Sequence, residues 1–518
     1  MSRSFQSIIS PVGYSSSTCG YCSPPGQRSS SKTSHSFGIW AHDLSAEHYQ
    51  RLADAGWRRS GSYVYKPDLA ATCCKQISIR LEGQKFKVGK SGRKTMRRFV
   101  EELRGAGEEG EAELVRQRDI WGKGKGKGKY TQPTSLQDFF AAIEENEDDG
   151  PMECRPSTSS DLSLLHQQRH DLFTQWRKDS PPCTSTPRPP PPTYPPRLPK
   201  LKHKLRTRLV PGSSSAQKYA LFRRYQQGIH KESDEDISSR KGFERFLCES
   251  PVRRTFPDAS EDPDPSAAHR LDGAVNPSGP SAIPFGLYHL EWRLDDELVA
   301  VSVLDLLPHC LSSVYFFYDP KHEKLQLGKI SVLREVALLE RIRAKPGMEE
   351  VKWYYLGFYI HNCQKMRYKG NYRPSQLLDA EDGQWVDLDE ACPVLDTGKG
   401  YGFSKGKGTM GEASSMEASI AVKSPEPSSP SSSSSDQSSA SDSSLLPSSR
   451  TPCPGILDPA SLDPNKLAKQ IYVLESSRQR DGIKPMILSR LEGRDQEKVK
   501  EAVAALGWEM ARECVFFV

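Results

Sequence analysis

Apolar positions are densest between residues 284 and 360, and their spacing sets out a continuous run of elements. PFGLYHLEWRLDDELVAVSVLDLLP (284–308) predicts two strands around a turn at Asp295-Asp296, and SSVYFFYDP (312–320) predicts a third. Val332, Val336 and Leu339 recur at helical spacing. The run from Trp353 to Ile360 then interleaves Trp353, Tyr355 and Phe358 with Tyr354, Leu356 and Tyr359, an aromatic strand suited to a pleated, buried surface. A strand, a helix and a further strand imply a right-handed crossover with parallel pairing. The expected fold class is therefore α+β.

Weaker patterns flank this core. Asp43 or Ser45 can cap a helix reaching about Ala55, with Leu44 and Leu52 inward. QISIRL (76–81) and KFKVG (85–89) predict a short strand pair, and a helix starts near Ser91. LQDFFAAIEE (136–145) predicts a short helix, LKHKLRTRLV (201–210) a strand, and Lys218 to His230 an amphipathic basic helix. Two more helices are expected near 463–475 and 494–505. These patterns divide the chain into a Cys-rich segment (1–104), a linker (105–199), a core (200–395) with an irregular loop at 251–283, a Ser/Pro-rich segment (396–455) and a helical tail (456–518) to which no chemistry is assigned.

Composition narrows the picture. The 518 residues include 39 Pro and 38 Gly, concentrated in stretches such as GKGKGKGK (122–129), PRPPPPTYPPRLP (187–199) and the Ser/Pro tract at 424–451, which are expected to be disordered linkers. No run approaches the ~18 apolar residues of a membrane span, so no membrane partner is expected. The first 30 residues are Ser-rich without an apolar stretch, and a secretory signal is not expected. Twelve cysteines in such a chain point to a reducing compartment, hence a cytoplasmic protein, with the nucleus a second expected location. The net charge of +6 is mild, so an anionic partner must be met by local patches.

Two features carry candidate chemistry. The first is Cys19-Gly-Tyr-Cys22 with the vicinal pair Cys73-Cys74. A C-x2-C turn lets two thiolates face one ion, and a second pair completes a four-sulfur shell. Vicinal cysteines in an extended strand point apart, so Cys73 and Cys74 share a centre only if the backbone turns there. The other reading is an ordinary C-x2-C with two buried thiols, and spacing leaves both open. The second feature is basic: Lys365, Arg367, Lys369 and Arg373 among Tyr368 and Tyr372, and Arg93, Lys94, Arg97 and Arg98 on one side of the helix near Ser91 with Lys85, Lys87 and Lys90 beside them. Cations interleaved with aromatic faces suit single-stranded RNA, and a basic helix face suits phosphates. A solvated loop and a solvated helix face account for the same residues.

The run YYLGFYIHNCQKMRYKGNYRPSQLL (354–378) resembles the C-terminal signature of the arginyl-tRNA–protein transferases. CGYC, Gly56-Trp57-Arg58-Arg59-Ser60-Gly61 and the CC pair before an I-x-I-R strand resemble that family's N-terminal domain in order and spacing. The pattern K-Y-x-L-F-x-x-Y-Q-x-x-I-H, beginning at Lys218, and F-x-R-F-L-C-x-S-P, beginning at Phe243, also resemble it. The resemblance covers about 19–100, 200–250 and 284–395.

This resemblance implies an acetyltransferase-like (GNAT-like) catalytic core with a small metal-binding N-terminal domain. It implies transfer of arginine from arginyl-tRNA to the α-amine of proteins beginning with Asp, Glu or oxidised Cys, which marks them for N-degron-dependent degradation by ubiquitin-ligase machinery. Cys19, Cys22, Cys73 and Cys74 would hold an iron–sulfur cluster or zinc. Acetyl-CoA is not expected, because KLQLGKIS (324–331) offers only Gly328 where acetyltransferases carry a glycine-rich pyrophosphate loop. Two departures stand out: Lys75 where the family has Pro after the CC pair, and His289-Leu290-Glu291-Trp292 where it has F-H-Q-x-Y.

The reaction suggests roles. His289 and His361 are candidates for taking the amine's proton. Glu291, replacing an amide, would alter the local field. Asp305 and Asp319 could hold the arginine guanidinium. Lys365, Arg367, Tyr368, Lys369 and Arg373 are candidates for the acceptor carboxylate or the tRNA end, and Arg58, Arg59, Arg93, Lys94, Arg97 and Arg98 for the tRNA backbone. Two other functions fit parts of the chain: a non-catalytic metal-stabilised RNA-binding module, and an acyl-CoA N-acetyltransferase.

Overall fold

The computed structural model describes residues 6–24, 27–105, 135–144, 201–260, 283–398, 400–403, 453–476, 483–491 and 493–518. The Gly-Lys repeat, the proline-rich run and the Ser/Pro tract lie outside the described residues. The chain forms two compact units. One comprises 1–99, 207–293 and 297–518, and the other 100–206 with 294–296.

In the smaller unit, the helix Leu136–Glu144 buries Phe139, Phe140 and Ile143. Asp295 holds its own turn, accepting from Lys204 N at 2.8 Å and meeting His203 Nδ1 at 2.6 Å.

The larger unit is built on two mixed sheets. Strands β1 (Ser7–Ser17), β2 (Ser34–Asp43), β3 (Arg58–Ser60) and β4 (Tyr63–Pro67) enter the first sheet. The second takes β5 (Ile77–Glu82), β6 (Leu205–Pro211), β7 (Gly286–Leu294), β8 (Glu297–Leu306), β9 (Cys310–Tyr318), β10 (Trp353–Tyr359), β11 (Ser375–Leu378) and β12 (Trp385–Asp387). Three late strands, β13 (Tyr472–Ser476), β14 (Ile483–Ile487) and β15 (Cys514–Phe517), return to the first sheet. The orders are β14-β13-β15-β1-β2-β4-β3 and β12-β11-β5-β10-β9-β8-β7-β6.

The expected core is present. β7 and β8 join through Asp295 and Asp296, both with positive φ (49° and 67°), as a two-residue hairpin turn requires. The helix Leu327–Arg343 packs on β9 and β10, which run parallel. The predicted 43–55 helix is Ala46–Asp54, and Ser45 caps it by accepting from His48 N at 3.1 Å.

Three features differ from the sequence reading. KFKVG forms no strand; residues 83–85 make a tight helical turn, and β5 pairs instead with β10 and β11. The alternation that marks β5 as half of a local pair serves a strand buried in a larger sheet. Residues 456–518 contain the helices Pro464–Gln470 and Gly493–Leu506 as expected, together with three strands. β15 pairs in parallel with β1, with Ile8 opposite Val515. The short runs of β13 and β15 lack the length to announce strands by periodicity alone.

Between the sheets, Arg59 of β3 meets Asp305 of β8 through two charge-assisted bonds of 2.7 and 2.6 Å, with side chains 1% and 0% exposed. Removing one partner leaves an uncompensated buried charge. Arg59→Met is expected to lower unfolding free energy by about 3–5 kcal/mol, and Arg59→Met with Asp305→Leu to recover most of that loss, both read by denaturant unfolding. A loss under about 1 kcal/mol for the single change would remove this pair from the forces holding the sheets together.

Candidate active site and metal centre

β10 follows β9 for only three residues, Trp353 opposite Cys310 to Tyr355 opposite Ser312, and then leaves it. Gly357 lies in a bulge between Tyr355 and Phe358, where β10's register against β5 shifts. Its φ of +73° is one a side chain rarely adopts, so glycine permits the bend. The departure opens a wedge between parallel strands at their carboxyl ends, a common ligand position in α/β sheets.

Two cations line this wedge. Lys369, in the turn after β10, donates to Phe358 O at 2.9 Å. Arg58 is buried, with its guanidinium carbon 5.4 Å from the Tyr355 ring centre and 5.5 Å from that of Phe358. Its Nη1 donates to Ala53 O and Trp57 O, but Nε and Nη2 have no partner. No carboxylate of the described residues lies within 4.0 Å of either cation. Burial, reinforced by the charge of Arg58, pulls the Lys369 ammonium down to about 7. A buried arginine and a half-buried lysine with spare donors, and with no counter-ion among the described residues, form a site for an anion.

His361 closes the strand end, mostly buried. Its Nδ1 lies 2.9 Å from Tyr359 Oη and its Nε2 2.8 Å from Asp396 Oδ1. A carboxylate at Nε2 fixes the proton there, leaving Nδ1 to accept from the tyrosine. Sequence reading missed Tyr359 and Asp396. The i, i+2 spacing of Tyr359 and His361 along a strand was a usable signal, whereas Asp396 lies 35 residues away.

The cysteines come together. The four Sγ atoms of Cys19, Cys22, Cys73 and Cys74 all lie within 4.8 Å of one another. A single ion with ~2.3 Å metal–sulfur bonds sets neighbouring sulfurs about 3.8 Å apart, so this spacing fits one tetrahedral ion with small adjustment. The turn needed at Cys73 is made by Asp68, whose carboxylate accepts from Ala70 N at 2.9 Å and Ala71 N at 3.1 Å. Lys75 reinforces it, donating to Ala70 O at 3.1 Å and Thr72 O at 2.7 Å, which accounts for a lysine at that position. Burial raises the Cys19 thiol, but backbone N–H groups of Tyr21 and Cys22 and the neighbouring Cys73 outweigh it and hold it below its ordinary value. The same loop reaches the signature stretch: Cys363 Sγ lies 3.5 Å from Tyr21 O.

The other predicted residues are distributed as follows. His289 is fully buried, with Nδ1 3.1 Å from Lys218 Nζ and Nε2 2.9 Å from Leu247 O. Burial and the Lys218 charge pull it down to about 4, so it is neutral and both nitrogens are committed. Glu291 lies 3.1 Å from Lys218 and 3.3 Å from Arg293. Asp305 is taken by Arg59. Asp319 is taken by Arg224 at 2.8 Å and caps the turn after β9 by accepting from Lys321 N. Arg59 and Arg58 are buried, away from a tRNA backbone in solvent.

On the helix Lys90–Leu103, Lys94 and Arg98 are exposed, while Arg93 and Arg97 are half-buried. Lys365 and Arg367 are exposed, Tyr368 is 38% exposed, and Arg373 pairs with Asp389 at 2.6 Å. The start of that helix and Tyr368, Asn371 and Tyr372 line a common cleft of about 80 Å³. This brings one basic patch against the aromatic part of the other.

Comparison with known proteins covers the same stretches. Residues 17–94 match the family model described as arginine-tRNA-protein transferase, N terminus, and 217–379 match its C terminus. The chain is 30% identical over 439 residues to arginyl-tRNA–protein transferase 1 of Drosophila melanogaster, covering 74% of this chain and 82% of that protein. It is 28% identical over 489 residues to arginyl-tRNA–protein transferase 2 of Arabidopsis thaliana, covering 76% of each. Over 184 residues it is 34% identical to an aspartate/glutamate leucyltransferase of Pseudomonas fluorescens (strain Pf0-1), covering 36% of this chain and 60% of that protein.

All four ligand positions of the cysteine site are protein thiolates, which leaves none open for substrate. Changing any one of the four to Ser is expected to reduce bound metal in the purified protein to less than half, by elemental analysis, and chelation to lower the melting temperature. Unchanged metal content in Cys22→Ser and Cys73→Ser would show that the thiols do not hold an ion.

Proposed function

This chain belongs to the arginyl-tRNA–protein transferase family, and from that premise we propose that it arginylates proteins beginning with Asp, Glu or oxidised Cys, so marking them for N-degron-dependent ubiquitination. The enzyme is an aminoacyltransferase acting on proteins. The observation that carries the finer reading is the pair of cations at the wedge, the buried Arg58 and the half-buried Lys369, with spare donors and no counter-ion among the described residues. An acidic first side chain would supply the missing anion there, and a neutral one would leave the cost of the buried Arg58 charge unrelieved.

With that carboxylate held, the acceptor's α-amine lies near the end of β10 and attacks the ester carbonyl carbon of arginyl-tRNA. A C–N bond forms, the C–O bond to the ribose breaks, and the ribose oxygen takes up the amine's proton, returned from His361 by way of Tyr359. The amine's proton passes to Tyr359 Oη as that hydroxyl gives its own to His361 Nδ1, and Asp396 stabilises the resulting imidazolium. His289 has no free nitrogen for this role. The tRNA lies on Lys94, Arg98, Lys85, Lys87 and Lys90, and its acceptor end stacks on Tyr368 in the shared cleft.

The parallel β9–β10 pair that opens at its carboxyl end supports an acetyltransferase-like core, here without a pyrophosphate loop. The cysteine site is structural in this reading: Cys19, Cys22, Cys73 and Cys74 would hold an iron–sulfur cluster or zinc, in the loop whose Tyr21 O meets Cys363. Among the described residues no helix is long and apolar enough to cross a membrane, and the reading keeps the enzyme cytoplasmic and nuclear.

Transfer of labelled arginine from charged tRNA to peptides starting with Asp, Asn and Ala tests the proposal. Label is expected on the Asp peptide alone, with Lys369→Met lowering its kcat/KM about 10- to 100-fold, the range of a lost charge-assisted bond. The Asp-over-Asn preference is expected to fall as pH rises through about 7, because Lys369 loses its charge there. Equal labelling of Asp and Asn peptides would refute the anion-site reading. For the tRNA patch, Lys94→Glu with Arg98→Glu should weaken tRNA binding and flatten its salt dependence by roughly one unit per lost phosphate contact.

A further inference from the structure

The helix Leu327–Arg343 buries a carboxylate that the proposed mechanism leaves idle. Glu335 is 1% exposed, and its Oε2 accepts from Tyr354 Oη at 2.6 Å. Its Oε1 has no hydrogen-bond partner, and no lysine or arginine of the described residues pairs with it. Burial raises the carboxyl, and the hydroxyls of Tyr354, Ser302 and Ser313 offset this only in part. An apolar residue of similar size would fill the space without the cost of that carboxyl.

The surroundings of Glu335 lead to the wedge. Ser312 is the last β9 residue paired with β10, and Ser313, the next, is half-buried where the strands part. β9 also shifts register against β8 between Val303 and Leu304, a bulge beside that point. The charge of Glu335 adds to burial in raising the Tyr368 and Tyr372 phenols, and these two rings line the cleft that takes the tRNA end. Tyr354 and Tyr355 are consecutive on β10, so their side chains lie on opposite faces of the sheet. Tyr354 meets Glu335 on one face, and Tyr355 lies against Arg58 on the other.

We propose that Glu335 receives the side-chain guanidinium of the transferred arginine, which enters past Ser313, and so sets the preference for a cationic aminoacyl group. This assignment rests on the transferase reading above. A guanidinium presents parallel donors, and Glu335 offers the idle Oε1 with the second lone pair of Oε2 to meet them. Asp305 and Asp319 are already paired with Arg59 and Arg224. The arginyl cation and the acceptor's anion are then held on opposite faces of β10, and the ester and the amine meet at the strand end.

The test uses L-arginine methyl ester, which keeps the ester and α-amine of the charged tRNA end, and its neutral isostere L-citrulline methyl ester. Each is titrated into the full-length protein and followed by ligand-observed NMR. The arginine ester is expected to bind at least about tenfold more tightly, the ratio set by one charge-assisted bond. Glu335→Gln should abolish that preference. Tyr354→Phe, which removes a buried hydrogen bond but keeps the carboxylate, should retain it. Ser313→Leu, at the half-buried entry, should weaken both esters alike, and every variant is checked for cooperative melting. Equal affinities in the parent, a preference kept in folded Glu335→Gln, or undiminished binding in folded Ser313→Leu would overturn the proposal. So would a preference lost in folded Tyr354→Phe as fully as in Glu335→Gln. Transfer from arginyl-tRNA to an Asp-initiated peptide separates this assignment from the broader reading. Full transfer by Glu335→Gln overturns the assignment alone. A parent that selects the arginine ester through Glu335 yet transfers nothing supports the site and overturns the transferase reading.

Discussion

The bidentate pair between Arg59 and Asp305 ties the two sheets of the larger unit across 246 residues of sequence. It is dry on both sides, so its geometry is enforced by the cost of leaving either charge alone. Arg59 also donates to Gly61 O and Glu249 O, which draws the segment after the Phe243–Cys248 turn into the same joint. Because Arg58 is the preceding residue, fixing Arg59 commits Arg58 to the opposite side of a short strand. There it lies over Tyr355 and Phe358, beside the wedge. An ion pair that stabilises the fold thus places an unpaired cation at the candidate active site.

The wedge owes its form to backbone chemistry. Gly357 lets β10 bend where a side chain would be strained, which frees Phe358 O to hold Lys369 rather than continue the sheet. Beyond the bend, Tyr359 and His361 project from the end of the strand, and the 19–22 loop touches Cys363 there. β5, from the first hundred residues, is the strand between β10 and β11. The cysteine turn leads straight into that strand, so an ion gathered by Cys73 and Cys74 would steady the neighbour of the strand that bears the candidate site as well as the 19–22 loop.

Much of this was legible in the sequence. The βββαβ order, the hairpin at Asp295-Asp296 and the capped helix after Ser45 follow from local pattern, because each is set by neighbours a few residues apart. The four cysteines were readable through the family resemblance, because spacing alone left an ordinary C-x2-C with two buried thiols equally open. What escaped was long-range pairing. An arginine such as Arg58 or Arg59 looks like any surface cation until the partner that buries it is known, and Asp305 and Asp319 look like free carboxylates until Arg59 and Arg224 reach them. The strands β13 and β15 escaped for the same reason, since their partner β1 lies at the other end of the chain.

The proposed function rests on electrostatics: the buried Arg58 and the half-buried Lys369 at the wedge are proposed to receive the acceptor's carboxylate. The pH dependence of Lys369 acylation, followed by mass spectrometry of the modified peptide, tests it most directly. A midpoint near 7 in the free protein that rises when an Asp-initiated peptide binds is the result this account predicts. A midpoint near the ordinary lysine value of about 10.4, unmoved by the peptide, would contradict it.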